Sequence, residues 1–253
     1  MPGFLKRPLE ALLALIALFV VWEAGVRLSG VPVFILPPPT AVLATATAAA
    51  PILAQHAFTT ISGTLLSLAI GAALGLLAGL AIGYFPRVSR ALYPLLGGFQ
   101  ALPMSAFIPI FVVWFGVGST PKVIAGALIA FFPVVVNVAT GLRTIEPDLW
   151  EMLRVIGASR AQVFRKVGIP RTLPYFFAAL KVSAAGAFIG NVVGEMIAAG
   201  RGLGYVLVLA TTSLNMPLAF SALTILLMMG MALFMIFDVA ERRMAPWAFR
   251  TEG

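Results

Sequence analysis

The sequence predicts an all-α integral membrane protein with about six transmembrane helices, and three observations carry that reading. First, 61% of the 253 residues are hydrophobic and only 10% are Asp, Glu, Lys or Arg, against roughly 25% charged residues in an ordinary soluble domain; the mean hydropathy is +1.04. Second, uncharged runs cover 57–86, 91–121, 123–142 and 202–237, each long enough for the roughly 20 apolar residues that cross a bilayer as a helix. Third, the basic residues segregate. With the amino terminus inside and six spans, Lys6, Arg7, Arg87, Arg90, Arg143, Arg154, Arg160, Arg165, Lys166, Arg171, Arg242, Arg243 and Arg250 fall on the cytoplasmic side, whereas only Arg27, Lys122 and Arg201 fall outside. That asymmetry follows the positive-inside rule. It makes the net charge of +8 a topology signal, with no nucleic-acid partner implied, and places both termini in the cytoplasm.

The spans are expected at about 10–28, 60–85, 91–116, 122–142, 173–199 and 216–240. The first, LEALLALIALFVVW after Lys6 and Arg7, also has the look of a secretory signal; no small-x-small cleavage site follows and the apolar stretch is long for a signal, so a retained helix is the reading. Glu23 lies four residues before Arg27, where the two face each other near the outer end. The prolines of VPVFILPPPTAVL stop that helix, and the Ala-rich stretch beyond suits a short helix along the outer surface. His56, the only histidine, is expected at the interface; no metal partners lie near it. With no cysteine, disulfides, thiol catalysis and Cys-based metal sites are excluded.

Span two carries Gly71, Gly75, Gly79 and Gly83, a bare face that lets a neighbouring helix approach closely, most simply within the same subunit. Span three contains Pro94, Pro103 and Pro109 and the Gly97–Gly98 pair. Proline removes a donor and crowds the preceding turn, and in lipid such a break survives where protein or a water-filled cavity satisfies the freed groups. Pro103, Met104 and Pro109 are therefore candidates for lining a pathway, with a kinked packing helix as the alternative. Span four adds Pro133 and, one turn on, Asn137, placed to bridge to a neighbour or face the pathway. Span five holds Asn191 and Glu195 near its outer end, and an ionisable group at membrane depth is a functional candidate; the competing role is an interfacial pair between Glu195 and Arg201. Lys181, further in, is expected to snorkel. Met228, Met229, Met231 and Met235 of span six read as packing.

One segment breaks the apolar pattern: TIEPDLWEMLRVIGASRAQVFRKVGIPRTLP. Glu146, Pro147 and Asp148 suit a helix start, and that helix should break near Gly157. Ser159 is placed to cap a second helix in which Val163, Phe164 and Val167 form an apolar stripe, ended by Pro170. Two to three turns are too few to stand alone in water or to cross a bilayer. The element needs a surface, and headgroups or a groove on a partner would each serve.

Glu151, then Gly157, then Val167, Ile169 and Pro170 match the spacing of the EAA loop, E-A-A-x3-G-x9-I-x-L-P, with Met152 and Leu153 in place of the alanines. Together with LPPPTAV, ALPMSAFIPIFVVWFGVGSTPK, FFPVVVNVATGL and GEMIAAGRGLGYVL, the chain from Leu36 to Trp247 resembles the permease subunits of binding-protein-dependent ABC importers, nitrate, sulfonate and taurine branch. The resemblance implies a type I ABC importer fold, with 1–253 as one transmembrane domain and a cytoplasmic two-helix coupling loop at about 146–170. It implies Glu151, Arg154, Gly157, Ala158, Ser159, Arg160, Phe164, Arg165 and Pro170 as the ATPase-coupling residues. It further implies two cytoplasmic ATP-binding subunits, a second copy of the permease, an external solute-binding protein and the bacterial inner membrane.

No G-x-x-x-x-G-K-[ST] occurs in the chain, so ATP and Mg belong to the partner and the chain itself is expected to be no enzyme and to hold no cofactor. Substrates of the branch run from nitrate, sulfonates and taurine to vitamin precursors such as pyrimidines and riboflavin, and LNMPLAFSALTILLMMGMALF with the terminal APW leans towards the last group. The rival class is an ion-coupled secondary transporter or channel. It requires a carboxylate deep in the bilayer, and Glu23, Glu195 and Asp238 all fall near span ends.

Overall fold

A computed structural model describes residues 6–100, 102–144 and 146–244, which are helical almost throughout and contain no strand among them. Arg250 and the terminal 245–247 stretch lie outside the described residues. The chain begins with α1 (Lys6–Ser29) and the short α2 (Pro39–Ala48). Pro38 stands at the N-cap of α2 with no side-chain acceptor to offer, and Glu23 of α1 takes over that task. Its Oε2 accepts the Thr40 N–H at 3.1 Å and its Oε1 accepts the Thr40 hydroxyl at 2.8 Å. Arg27 closes the group at 2.6 Å, as the i,i+4 spacing predicts. The proline run thus ends one helix and starts the next, and a carboxylate from the first caps the second.

α3 (Ala50–Tyr84) is 35 residues long, about 52 Å at 1.5 Å per residue. That exceeds the roughly 30 Å hydrocarbon thickness, so part of it stands clear of the apolar layer. The expected third span is two helices, α4 (Pro86–Gln100) and α5 (Ile108–Phe115), with Pro103 and a 3-10 turn at Met104–Phe107 between them. Pro103 and Pro109 each lack the N–H that a continuous helix would use, and the tighter turn occupies the gap. α6 (Ser119–Arg143) keeps Pro133 inside it.

After α6 come α7 (Pro147–Val155) and α8 (Arg160–Val163), a π-turn at Phe164–Gly168, α9 (Ile169–Gly194) and a second π-turn at Glu195–Ala199. From Arg160 to Ala199 these form one 40-residue helical rod. This corrects the expectation that Pro170 ends the second short helix. The wider turn, closed by the Ile169 N–H on the Phe164 carbonyl, lies directly before Pro170 and admits its ring and missing donor without breaking the rod. α10 (Leu203–Thr212) and α11 (Met216–Met244) complete the chain. Within the described residues, four helices have the length and apolar composition to cross a membrane: α3, α6, the 160–199 rod and α11.

The core is the bundle of α3, α6 and α9, where Val134, Val135, Val138, Ala139, Ala179 and Ala187 are fully buried. Its closest seam is the glycine face of α3. A Cβ on Gly71 would strike the Ala127 carbonyl, one on Gly75 would come within 2.8 Å of Val134 Cβ, one on Gly79 within 2.7 Å of Val138 Cβ, and one on Gly83 would run into Leu142. The numbering rises together on both helices, so α3 and α6 run parallel, and the bare face is filled from within the same chain. α9 answers from the other side with Gly186, Gly190 and Gly194, which meet Ile129, Gly126 and Lys122 in descending order and so run antiparallel to α6.

Candidate functional site

Two places concentrate polar chemistry, one at each end of the 160–199 rod. At the first, α7 ends in a Schellman motif: the Ala158 N–H reaches the Leu153 carbonyl at 2.9 Å and the Gly157 N–H the Arg154 carbonyl at 3.0 Å. Gly157 takes φ +87°, a left-handed value that costs a side-chain-bearing residue about 1 kcal/mol or more. Ser159 then caps the next helix in a capping box. Its hydroxyl accepts the Gln162 N–H at 3.3 Å, and Gln162 Oε1 accepts the Ser159 N–H at 2.8 Å. The two-helix loop is therefore a pair of defined caps around one glycine.

Its side chains divide into two groups. Arg160 donates to the Tyr84 carbonyl at 2.6 Å and lies 5.2 Å over the Tyr84 ring, while Phe164 meets the same ring edge-on at 4.9 Å. These two expected coupling residues fasten the loop to the end of α3. Glu151, Arg154, Gly157 and Arg165 are exposed, as is Pro170, and Ala158 is half-buried. The sequence reading missed an apolar tip: Met152 is 56% exposed, Val155 87% and Ile156 73%. The i, i+3, i+4 spacing of 152, 155 and 156 was the available signal.

At the other end Glu195, 1% exposed, pairs with Lys122, 2% exposed, at 2.9 Å. The same carboxylate accepts the Thr60 hydroxyl at 2.8 Å and the Gly204 N–H at 3.1 Å. Thr60 Oγ1 in turn accepts the Leu203 N–H at 2.9 Å, and His56 Nδ1 accepts the Gly202 N–H at 2.9 Å. Three side chains thereby satisfy three successive donors at the start of α10, which would otherwise be orphaned away from water. Glycines clear the space: a Cβ on Gly202 or Gly204 would collide with Glu195 or the backbone behind it, and one on Gly194 with Lys122. Glu195 thus takes Lys122 from α6 as its partner, and Arg201, the partner offered by the competing reading, is exposed. The signal available in sequence was the stripe Thr60, Gly63, Thr64, Ser67 on one face of α3, all buried.

Asn191 belongs to the same interior, fully buried, with its Nδ2 on Ser67 Oγ at 2.6 Å and on the Ala187 carbonyl at 3.1 Å. Asn137 turns back onto its own helix, donating to the Pro133 carbonyl at 2.8 Å. Pro103 and Pro109 are exposed and Met104 is half-buried. Of the six expected pathway residues, the structure groups Pro103, Met104 and Pro109 at the break between α4 and α5, sets Asn191 and Glu195 inside the bundle, and leaves Asn137 apart. Lys181 joins α9 to α11 through ion pairs with Asp238, at 3.2 Å, and Glu241. Among the described residues no group of three or more His, Cys, Asp or Glu side chains is placed to hold a metal.

The family model described as the binding-protein-dependent transport system inner membrane component matches residues 71–249. The chain belongs to that family. The permease is 34% identical to the formylaminopyrimidine transport permease protein ThiX of Halalkalibacterium halodurans, over 94% of this chain and 96% of the relative. It is 36% identical to the riboflavin transport system permease protein RibX of Chloroflexus aurantiacus, over 92% and 88%. It is 29% identical to the taurine transport system permease protein TauC of Escherichia coli, over 92% and 87%. Among solved structures it superposes with a TM-score of 0.66 on the MetNI methionine ABC transporter in an inward-facing conformation, at 21% identity over 76% of this chain and 96% of that one; this likeness speaks to the fold.

The type I importer fold and the sulfonate/taurine-type branch expected from the sequence are thus established, and the chain is an ABC importer permease, a multi-pass inner-membrane subunit. It is a transport subunit and not an enzyme, and its family works with an ATPase and a solute-binding protein.

Proposed function

We propose that two copies of this permease form the pathway of an importer driven by two copies of a cytoplasmic ATPase, which binds the ATP and Mg. The loop around Gly157 docks into the ATPase, both termini and that loop face the cytoplasm, and the Glu195 end faces the solute-binding protein. In this arrangement α1 and the α4–α5 pair supply the remaining two of six crossings. The observation that carries the reading is the loop itself: an apolar tip of Met152, Val155 and Ile156 left uncovered, on an element fastened to the bundle through Tyr84. Uncovered apolar side chains beside exposed Glu151 and Arg154 have the composition of a helix laid into a partner's groove. Movement of the ATPases at that tip would bias the bundle between outward-open and inward-open states, provided nucleotide binds one state better than the other. The gap around Pro103, Met104 and Pro109 is the segment of the pathway we assign.

A heteroaromatic vitamin precursor is the favoured solute, on two observations: the formylaminopyrimidine and riboflavin relatives share 34% and 36% of residues with this chain, against 29% for the taurine relative.

The test is co-purification with the ATPase in mild detergent. Ile156→Asp removes an anchor worth roughly 1.5–3 kcal/mol when buried, so retention of the ATPase should fall about tenfold or more. Gly157→Trp should abolish it. Retention of the ATPase at the wild-type level by both variants would sink the docking role and favour a membrane-surface anchor.

A further inference from the structure

At the end of the bundle opposite the coupling loop, a recess of about 790 Å3 is lined by Gln55, His56, Thr59, Arg201 and Tyr205, with Phe58 also in its wall. Its size lies within the roughly 300–1,000 Å3 of small-molecule sites. The lining offers donors and no carboxylate. Among the described residues the Arg201 guanidinium makes no ion pair or hydrogen bond, and neither do the Gln55 amide and the Tyr205 hydroxyl. His56 Nδ1 is occupied as an acceptor by the Gly202 N–H, so the neutral ring carries its proton on Nε2 and has that donor to spend. The nearest acid behind the wall, Glu195, is committed to Lys122, Thr60 and Gly204. The His56 and Tyr205 rings lie 6.1 Å apart at 33°, adding two flat apolar faces.

The recess is also backed by rigid structure. Arg201 and Tyr205 flank the Gly202–Leu203–Gly204 backbone, whose three N–H groups are held by His56, Thr60 and Glu195. The buried ion pair fixes the loop that carries the exposed guanidinium, which is how a binding group is held ready without reorganisation.

We propose that this recess is a solute-binding site of the permease itself, taking a planar small molecule that bears an anionic or acceptor-rich group. The ring lies along His56 and Tyr205, and the acceptors meet Arg201 and the His56 Nε2–H, charge-assisted in the first case. The inference rests on the importer reading, in that it makes the permease a second point of solute selection after the binding protein.

The test uses the permease and its ATPase co-purified in nanodiscs without binding protein. Benzoate is the probe and benzamide its uncharged isostere, both followed by saturation-transfer NMR of the ring protons. Benzoate should bind saturably and more tightly than benzamide. Arg201→Gln should weaken it about tenfold, the loss expected for one hydrogen bond to a charged group; Arg201→Lys should fall between, Tyr205→Leu should also weaken it, and Arg87→Gln should leave it unchanged. ATPase content and elution volume of the same preparations report whether the importer assembly is intact, separately from the recess. Absence of saturable benzoate binding, or equal binding by Arg201→Gln, overturns the proposal. So does an Arg201→Gln protein that binds benzoate normally and fails to capture the solute-binding protein, which makes the recess a protein-docking surface.

Discussion

Removing either partner of the Lys122–Glu195 pair should be among the most damaging conservative changes in the chain. Lys122→Met keeps the length of the side chain and deletes the ammonium 2.9 Å from Glu195 Oε1. The carboxylate then remains 1% exposed with only the Thr60 hydroxyl and the Gly204 N–H as donors. An uncompensated buried charge of this kind costs about 3–5 kcal/mol, which corresponds to a fall of about 6–20 °C in unfolding midpoint at the roughly 2–4 °C per kcal/mol typical of chains this size. Glu195→Gln leaves the ammonium stranded and should cost a similar amount.

The double variant Lys122→Met/Glu195→Gln buries no charge, and the glutamine oxygen still accepts from Gly204, so most of the loss should return. The assay is the detergent-solubilised midpoint of the four proteins, read by fluorescence-detected size exclusion after heating. A double variant whose midpoint falls by the sum of the two single losses would refute the pairing, because independent sites add and coupled ones do not.

The glycine seam gives a second contrast: Gly75→Ala places a Cβ 2.8 Å from Val134 Cβ and should destabilise by about 1–3 kcal/mol, whereas Gly97→Ala, with nothing within 4 Å, should be neutral or stabilising by up to ~1 kcal/mol; the same heating assay ranks them. Leu214, exposed at φ 57°, holds a left-handed position that asparagine tolerates better, so Leu214→Asn should raise the midpoint by an amount worth about 0.5–1 kcal/mol. Glu23→Ala removes the cap of α2 and should increase amide exchange over 40–43 while leaving the α3–α6 core protected, as mass-resolved hydrogen exchange would show.

The sequence made legible what depends on composition and local rules. Hydropathy alone marks α3, α6, the 160–199 rod and α11 as long apolar helices; the Gly71–Gly83 spacing marks a seam, because a bare face at every fourth residue has meaning only against another helix. Ser159 and Gly157 are readable as caps because capping is decided within four residues. The buried ion pair was not readable, since Lys122 and Glu195 lie 73 residues apart and each has a nearer plausible setting, Lys122 in solvent and Glu195 beside Arg201. Which helices bring them together depends on the whole bundle. Pro170 misled for the opposite reason: a local rule for ending helices was applied where the π-turn before it relieves the clash. Arg160 and Phe164 had the right types for a partner surface, and only the position of Tyr84 shows that they also hold the loop to the end of α3.

The two π-turns of the 160–199 rod have a consequence for rotational phase. In an α-helix each residue advances the azimuth by about 100°, and a π-turn holds one residue more than an α-turn. Deleting a single residue within Phe164–Gly168 would restore α geometry and leave every core contact of α9 in register. The apolar tip of the two-helix loop would keep its bearing as well, because the wide turn completes the same rotation with one residue more; the same deletion in a regular α-helical stretch of the rod would swing the tip by about 100°. The compass bearing of the loop is therefore the one an uninterrupted α-helical rod would give it, and the wide turn stores a residue beside Pro170 without turning the tip.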